Sequence, residues 1–207
     1  MRIPKSIRGI EDFGRIRLSR SFFMRDFLHS EIAAHQGFLN LPEDGDLAIF
    51  AGSMLCEHLL EPLQATFGRI ALRSGYRSPE VNGYGNANNL SCASNRRDAG
   101  RHIWDQRTND GAAGAMATIV VPWLMDHIAE GKADWRSMAW WIHDTLPYSE
   151  LQFFPKLTAF NIAWSEKPRR AIYSFVKPKG CLTQPGYDNH GGDHSRHYDG
   201  FPELVRR

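Results

Sequence analysis

One arginine and three histidine-containing segments carry the side chains of this sequence that could do chemistry. Arg77 lies in the stretch Ser74-Gly-Tyr-Arg-Ser-Pro-Glu-Val-Asn82, which follows a short apolar strand. Gly75 allows the backbone to turn and Pro79 prevents the strand from continuing, so the Arg77 guanidinium lies on a constrained turn. Such a guanidinium offers a planar fork of donors to a carboxylate, and a surface ion pair is the alternative. The predicted ligand-binding residues are Ser74, Tyr76 and Arg77.

The second candidate is a histidine and a carboxylate three residues apart, His102 and Asp105. On a helical turn, residues at this spacing share a face. They could then be two ligands of a metal ion, or a histidine oriented by its carboxylate for acid–base catalysis. The alternative is a pair on a helix surface with Ile103 and Trp104 packed inward. Both interpretations stay open at the level of sequence.

The other two histidine segments lie in the second half of the chain. His143 precedes Asp144 in an amphipathic segment, where it is either catalytic or a buried helix residue favoured by the helix dipole. Residues 190–199 contain three of the nine histidines and two aspartates. These are suitable ligands for zinc or another divalent cation, and a half-ordered polar tail is the alternative. The candidate catalytic residues are therefore His102, Asp105 and His143, and the candidate metal ligands are His102, Asp105, His190, His194 and His197.

The helices and strands that the sequence predicts around these side chains indicate an α+β fold. Hydrophobic periodicity predicts helices at 21–36, 46–66, 123–130 and 134–145, and strands at 70–74, 117–121, 150–154, 159–164 and 171–175. A long polar insertion, about residues 83–110, separates the first two strands and is typical of a ligand-holding loop. Beyond Gly180 the composition turns rich in glycine, proline and histidine. We predict an N-terminal extension (1–19), one packed domain (20–180) and a His-rich tail (181–207).

Composition excludes several classes of function. The 207 residues carry a formal charge of only +2, which gives no reason to expect a nucleic-acid partner. Three cysteines without close spacing predict neither a disulfide framework nor a zinc knuckle and favour a reducing compartment. The N-terminal residues lack an apolar signal region, and no segment reaches 18 apolar residues, so we expect a cytoplasmic protein with no membrane span.

The Arg77 stretch also carries a family resemblance. Ser-Gly-Tyr-Arg-Ser-Pro-x-x-Asn resembles the first motif of the zinc D-alanyl-D-alanine carboxypeptidases and dipeptidases, which share the Hedgehog fold. Three other segments are similar to the family in the same order: Arg25-Asp-Phe-Leu-His-Ser-Glu31, Leu60-Glu-Pro-Leu63 and Leu146-Pro-Tyr-Ser-Glu-Leu-Gln152. The resemblance covers about residues 20–175. It implies a Hedgehog/DD-peptidase-like α+β fold, with a small antiparallel sheet packed against helices, and a peptide or cell-wall-precursor-like ligand.

The sequence departs from the family where zinc should bind. In the family pattern Ser-x-His-x-x-Gly-x-Ala-x-Asp, the His and Asp are ligands, but Gly111 and Thr118 stand at those places here. The family's last motif, a catalytic Glu followed by Trp-x-His, falls on Gln152-Phe-Phe154 and Phe160-Asn-Ile162. Neither the base nor the third ligand is present. Without a metal to lower the pKa of water, the usual amide hydrolysis is not expected.

Three functions follow as hypotheses. The first is a divergent, non-cutting member of the fold that binds a peptide-like or carboxylate-bearing ligand at the Arg77 turn. The second is a metal-dependent hydrolase, or another enzyme, with a relocated site around His102, Asp105, His143 or the tail histidines. The third is a phage-type or assembly scaffold that uses the fold only as a framework. Because one fold hosts many functions, the choice depends on the site.

Overall fold

A mixed six-stranded sheet forms the centre of the computed structural model, which describes residue 4 and residues 6–205. The strands are β1 (Ala71–Ser74), β2 (Gly114–Val120), β3 (Glu150–Phe153), β4 (Phe160–Ser165), β5 (Ala171–Ser174) and β6 (Gly180–Thr183). Their order across the sheet is β1-β2-β4-β3-β5-β6. Four neighbouring pairs are antiparallel, but β3 and β5 run parallel. The α+β class is confirmed, and the predicted antiparallel sheet is corrected to a mixed one.

Eight α-helices surround the sheet in the described part of the chain. They are α1 (Ile7–Gly14), α2 (Glu31–Gln36), α3 (Gly45–Leu55), α4 (Glu61–Phe67), α5 (Pro79–Ala87), α6 (Asn95–Asp98), α7 (Pro122–Ala129) and α8 (Trp135–Thr145). A π-helical turn, Cys56–Leu60, joins α3 to α4, so the predicted helix at 46–66 is present with an irregular centre. The helix predicted at 21–36 is instead a 3₁₀ turn, Met24–Phe27, followed by α2.

The two faces of the sheet differ in chemistry because side chains alternate along each strand. One face packs against the helices and belongs to the hydrophobic core; it includes Ala117, Ile119, Leu151, Phe160 and Ile162. Helix α3 contacts β2 and β4 on this side. The close packing leaves no room at Gly52, where an added Cβ would lie 2.7 Å from the Trp104 ring. The opposite face carries polar side chains and forms the candidate site.

The predicted insertion contains the second half of α5, α6 and a turn-rich segment that closes over one end of the polar face. Three hydrogen bonds fix this segment: Met116 N donates to the Arg101 carbonyl at 3.0 Å, Arg77 N to the His102 carbonyl at 2.8 Å, and the Trp104 indole to the Met116 carbonyl at 3.1 Å. Residues 101–105 form turns rather than a helix. The expected helical face shared by His102 and Asp105 is therefore absent, because the backbone of this segment bonds to β2 and to Arg77 instead of to itself.

Near both termini, the described residues pack against the domain. Of the predicted N-terminal extension, residues 1–3 and 5 lie outside the described residues, and α1 places Phe13 in the core. Residues 206–207 of the predicted tail also lie outside them. The tail begins within β6, which pairs with β5, and Phe201 packs on Phe67 and Trp123. Across the described residues, none of the helices combines the length and apolarity that crossing a membrane requires.

Candidate functional site

A row of polar side chains crosses the exposed face of the sheet from β2 to β3. Thr118 lies directly opposite Asn161 of β4, which lies opposite Gln152 of β3. The Thr118 hydroxyl donates to Asn161 Oδ1 at 2.6 Å, and Asn161 Nδ2 donates to Gln152 Oε1 at 3.0 Å. Cross-strand neighbours on one face are close enough for such contacts. The row therefore presents one hydroxyl and two carboxamides to the space above the sheet.

The hydrogen bonds of this row continue into a buried cluster of charged side chains. Gln152 Nε2 donates to Glu150 Oε1 at 2.5 Å, and Glu150 Oε2 accepts from Arg101 at 2.5 Å and from Arg169 at 3.1 Å. Glu150 is 2% exposed. A buried carboxylate of this kind is tolerated because both of its oxygens are paired. The charge of Arg101 is thus engaged within the protein.

His102 is a neutral imidazole with a fixed tautomer. Its Nδ1 lies 2.8 Å from the carbonyl oxygen of Gly75, which can only accept, so Nδ1 carries the proton. The other nitrogen, Nε2, is then a lone-pair acceptor, and the Asn161 side chain interacts with the ring. Burial, with a smaller contribution from the Arg77 charge, lowers the pKa of His102 from 6.5 to about 3. His102 therefore remains uncharged at neutral pH.

Arg77 lies at the mouth of a pocket of about 640 Å³, bordered by the polar row, His102 and the segment 91–98, which ends in α6. Its guanidinium donates to Ser74 Oγ at 3.1 Å and to Cys92 Sγ at 3.4 Å. Within the described residues, no carboxylate comes within 4.0 Å of it, and the same holds for Arg97. Arg77 is thus a half-buried cation held by two neutral side chains.

Two titratable groups near Arg77 are shifted toward their neutral forms. Burial raises the pKa of the Cys92 thiol, against the opposing effect of the Arg77 charge. Burial also raises the pKa of Asp98, although Arg77, Arg101 and Arg97 all act in the other direction. A thiol with a raised pKa is a poor nucleophile at neutral pH. Cys92 therefore acts as a contact of the guanidinium rather than as a reactive group.

The remaining residues predicted at the Arg77 turn have structural positions. Tyr76 is fully buried, and its hydroxyl donates to Asp105 Oδ1 at 3.1 Å. Asp105 also accepts from the Glu43 amide at 2.7 Å. Asp105 and His102 therefore bond to different partners, and neither Tyr76 nor Asp105 lines the pocket. Ser74 acts through Arg77, whose guanidinium it positions.

The pocket does not fit the zinc ion that the family resemblance implies. Its donors near the polar row are one imidazole nitrogen, one hydroxyl and two carboxamides. Zinc sites in proteins are built from thiolates, imidazoles and carboxylates. Of that class, His102 lies beside the row, Glu150 is already paired with two arginines, and Cys92 and Asp98 line the pocket. Among the described residues these groups do not form a three-donor metal site. Ile162, which the sequence alignment placed at a ligand position, faces the core, whereas its neighbour Asn161 faces the pocket.

A second histidine cluster lies between α8 and the tail. His143, Asp144 and His194 each offer a ligand atom, and these atoms lie within 4.8 Å of one another; no other such group of three occurs in the part of the chain that the structure describes. The ring of His190 lies 4.9 Å from that of His143, and the ring of His197 stacks on Trp140. None of these residues lines the Arg77 pocket. The tail histidines thus gather around His143, not around His102.

Sequence reasoning missed the pocket role of four side chains: Asn161, Gln152, Asp98 and Arg97. For the first two, a signal was present. Each is a polar residue in a strand that is otherwise apolar, at a position whose neighbours face the core. Alternation predicts that such residues face away from the core. Asp98 and Arg97 come from the insertion, and its path over the sheet has no local signature.

Comparison of the chain with protein-family models, with curated proteins and with solved structures gave no match in any of the three.

Proposed function

We propose that the chain has the Hedgehog/DD-peptidase fold and binds a small carboxylate-bearing, peptide-like ligand without cutting it by zinc chemistry. The observation that carries this proposal is the state of Arg77. It is a half-buried guanidinium at the mouth of a pocket, with no carboxylate of the described residues within 4.0 Å. A partly buried cation that makes no close ion pair with the described residues is a natural binding group for an anion.

The surroundings of Arg77 suit a carboxylate in particular. Two neutral contacts, Ser74 Oγ and Cys92 Sγ, hold the guanidinium in place without neutralising it. Arg97 lines the same pocket and adds a second cation. A fixed guanidinium binds a carboxylate through two parallel hydrogen bonds, and the ordering cost is small because the side chain is already positioned.

The polar row suits the peptide part of the ligand. Thr118, Asn161 and Gln152 present hydroxyl and carboxamide groups, which donate to and accept from peptide amides. His102 adds a lone-pair acceptor beside them, since its Nδ1 proton is committed to Gly75. Aromatic and apolar contacts come from Phe154 and Phe175 at the rim. The pocket thus combines an anion-binding end with a neutral, hydrogen-bonding floor.

The position of this row supports the fold assignment and the loss of hydrolysis together. The family resemblance places zinc ligands at Gly111, Thr118 and Ile162 and the catalytic base within residues 152–154. Of these positions, Thr118 and Gln152 meet through Asn161 beside His102, and their side chains are poor zinc ligands, whereas Ile162 faces the core. The proposed protein therefore retains the substrate cleft of a peptidase while its side chains serve binding alone.

The test is equilibrium binding of a short peptide that ends in D-alanyl-D-alanine, measured by calorimetry with wild type and Arg77→Gln. Loss of a charge-assisted contact costs about 1.5–3 kcal/mol, so Kd should rise roughly 10- to 150-fold. Arg73→Gln is the matched control, because Arg73 is exposed on β1, just before the Arg77 turn, and lies outside this pocket. Equal affinities of wild type and Arg77→Gln would refute the proposal.

A further inference from the structure

The C-terminal tail is tied to α8 through one carboxylate. Asp144 accepts three hydrogen bonds, all from the tail: His194 Nδ1 at 2.7 Å, His194 N at 3.2 Å and the Tyr198 hydroxyl at 2.9 Å. The His194 ring stacks on Trp140 at 4.1 Å, with an angle of 8° between the planes. His194 is 7% exposed and His143 5%. The tail is thus seated on the helix at a buried, histidine-rich contact.

Both ring nitrogens of His194 face hydrogen-bond acceptors. Nδ1 faces a carboxylate oxygen and Nε2 lies 3.0 Å from the carbonyl oxygen of Asn189. Both partners are acceptors, and a neutral imidazole carries one proton only. With Nε2 donating to Asn189, the Nδ1 lone pair points at Asp144. The 2.7 Å gap between these two atoms is bridged by a proton and is too short for a metal ion, so a metal enters by displacing that proton and widening the gap to roughly 3.3 Å.

We propose that a divalent transition metal of the zinc class occupies this position, with His143, Asp144 and His194 as its ligands. One ligand atom from each residue lies within 4.8 Å of the others. Zinc–ligand bonds of about 2.0–2.1 Å in a tetrahedron separate ligand atoms by roughly 3.3 Å. Closing the site therefore contracts the widest separation by up to about 1.5 Å and moves His194 Nδ1 and Asp144 Oδ1, now 2.7 Å apart, about 0.6 Å further from each other. Two imidazoles and a carboxylate are a donor set that zinc favours, and a fourth position stays open.

The surrounding contacts match those of protein metal sites. A ligating histidine usually donates its other N–H to a carbonyl or carboxylate, which fixes the ring. His194 does so to Asn189, and His143 Nε2 does so to the His190 carbonyl at 2.9 Å. Nδ1 of His143 now accepts from the Tyr148 hydroxyl at 2.7 Å, so that proton has to turn away for Nδ1 to ligate.

The metal would pin the tail rather than act on the ligand of Arg77, because no residue of the site lines that pocket. Its ligands come from α8 and from a segment about fifty residues later, so binding closes a long loop of chain. A ligand that binds only the folded arrangement stabilises it by mass action. We therefore expect the ion to stabilise the tail against proteolysis.

The experiment uses full-length protein without a histidine tag, stripped with EDTA and titrated with zinc. Wild type should bind about one equivalent, measured by plasma mass spectrometry after dialysis, and cobalt should give the visible spectrum of a nitrogen- and oxygen-ligated site. His194→Ala should weaken zinc binding at least about 100-fold. The control His197→Ala removes a neighbouring tail histidine that stacks on Trp140 but lies outside the three-donor group, and it should bind like wild type.

A second variant separates loss of the metal ligand from loss of side-chain packing. Asp144→Asn keeps the size of the side chain but removes its charge, and it should also lose the ion while far-ultraviolet circular dichroism stays unchanged. Failure of wild type to bind zinc, or equal binding by wild type, His194→Ala and Asp144→Asn, would overturn the proposal. The former result would mean that a proton alone bridges His194 and Asp144. Peptide binding at Arg77 is measured separately and is expected to survive EDTA.

Discussion

The buried imidazole of His102 makes a specific prediction about pH. Replacing it by asparagine keeps a side-chain N–H that can donate to the Gly75 carbonyl, because the asparagine amide superposes on the Nδ1 side of the ring. Asparagine does not titrate near neutral pH. Wild type and His102→Asn should therefore differ in how their stability depends on pH, whatever their difference at pH 7.

The magnitude follows from the two pKa values. Burial lowers the pKa of His102 from 6.5 in the unfolded chain to about 3 in the folded one. The folded state then binds fewer protons, so its stability rises with pH. This contribution is fully present above pH 6.5 and is lost as the pH falls from 6.5 toward 3. Between pH 7 and pH 5 the loss is about 2 kcal/mol.

The assay is urea unfolding followed by tryptophan fluorescence at pH 7 and pH 5. Wild type should lose about 2 kcal/mol more stability than His102→Asn over this interval. Other titrating groups are common to both proteins and cancel in the difference. The same substitution at exposed His35 leaves His102 in place and should retain the wild-type dependence. Matching pH dependences for wild type and His102→Asn would show that His102 is not buried in its neutral form.

Three further predictions concern the packing and the polar row. Gly52→Ala should destabilise the fold by about 1–3 kcal/mol in urea unfolding, because the new methyl group meets the Trp104 ring, whereas Gly83→Ala, where the nearest atoms are 3.6 Å away, should not destabilise. Asp105→Ala should cost about 2–3 kcal/mol of unfolding free energy, because the buried Tyr76 hydroxyl and the part-buried Glu43 amide lose their acceptor; a loss under about 1 kcal/mol would contradict this assignment. The double change Thr118→Asp with Asn161→His should create zinc binding that depends on His102, detected by calorimetry; no uptake would show that the row is not arranged like a metal site.

The sequence predicts the class of the fold well because most of its segments are locally determined. Helix α8 has an N-terminal Asp134 cap and a continuous apolar face, and it forms over Trp135–Thr145, one residue from the prediction. Alternating apolar residues likewise locate β3 and β4. The parallel pairing of β3 with β5 could not be predicted, since it depends on how the chain crosses between strands that are not adjacent in sequence.

The site was less predictable because long-range contacts create it. The Arg77 turn is recognisable locally, but the neutral contacts of its guanidinium include Cys92, fifteen residues later. The sequence predicts His102 as a candidate because it lies three residues before Asp105. In the structure its ring interacts instead with the Gly75 carbonyl and the Asn161 side chain. The tail histidines similarly meet His143, about fifty residues away, through contacts that no sequence spacing encodes.

The most direct test of the account is the coupling between Arg77 and the terminal carboxylate of the ligand. Binding of a D-alanyl-D-alanine peptide and of its C-terminal amide would be measured for wild type and Arg77→Gln, which completes a double-mutant cycle. The account predicts a coupling of about 1.5–3 kcal/mol, since each change removes the same charge-assisted contact. Additive losses, with a coupling near zero, would contradict the claim that Arg77 is the anion-binding group of this pocket.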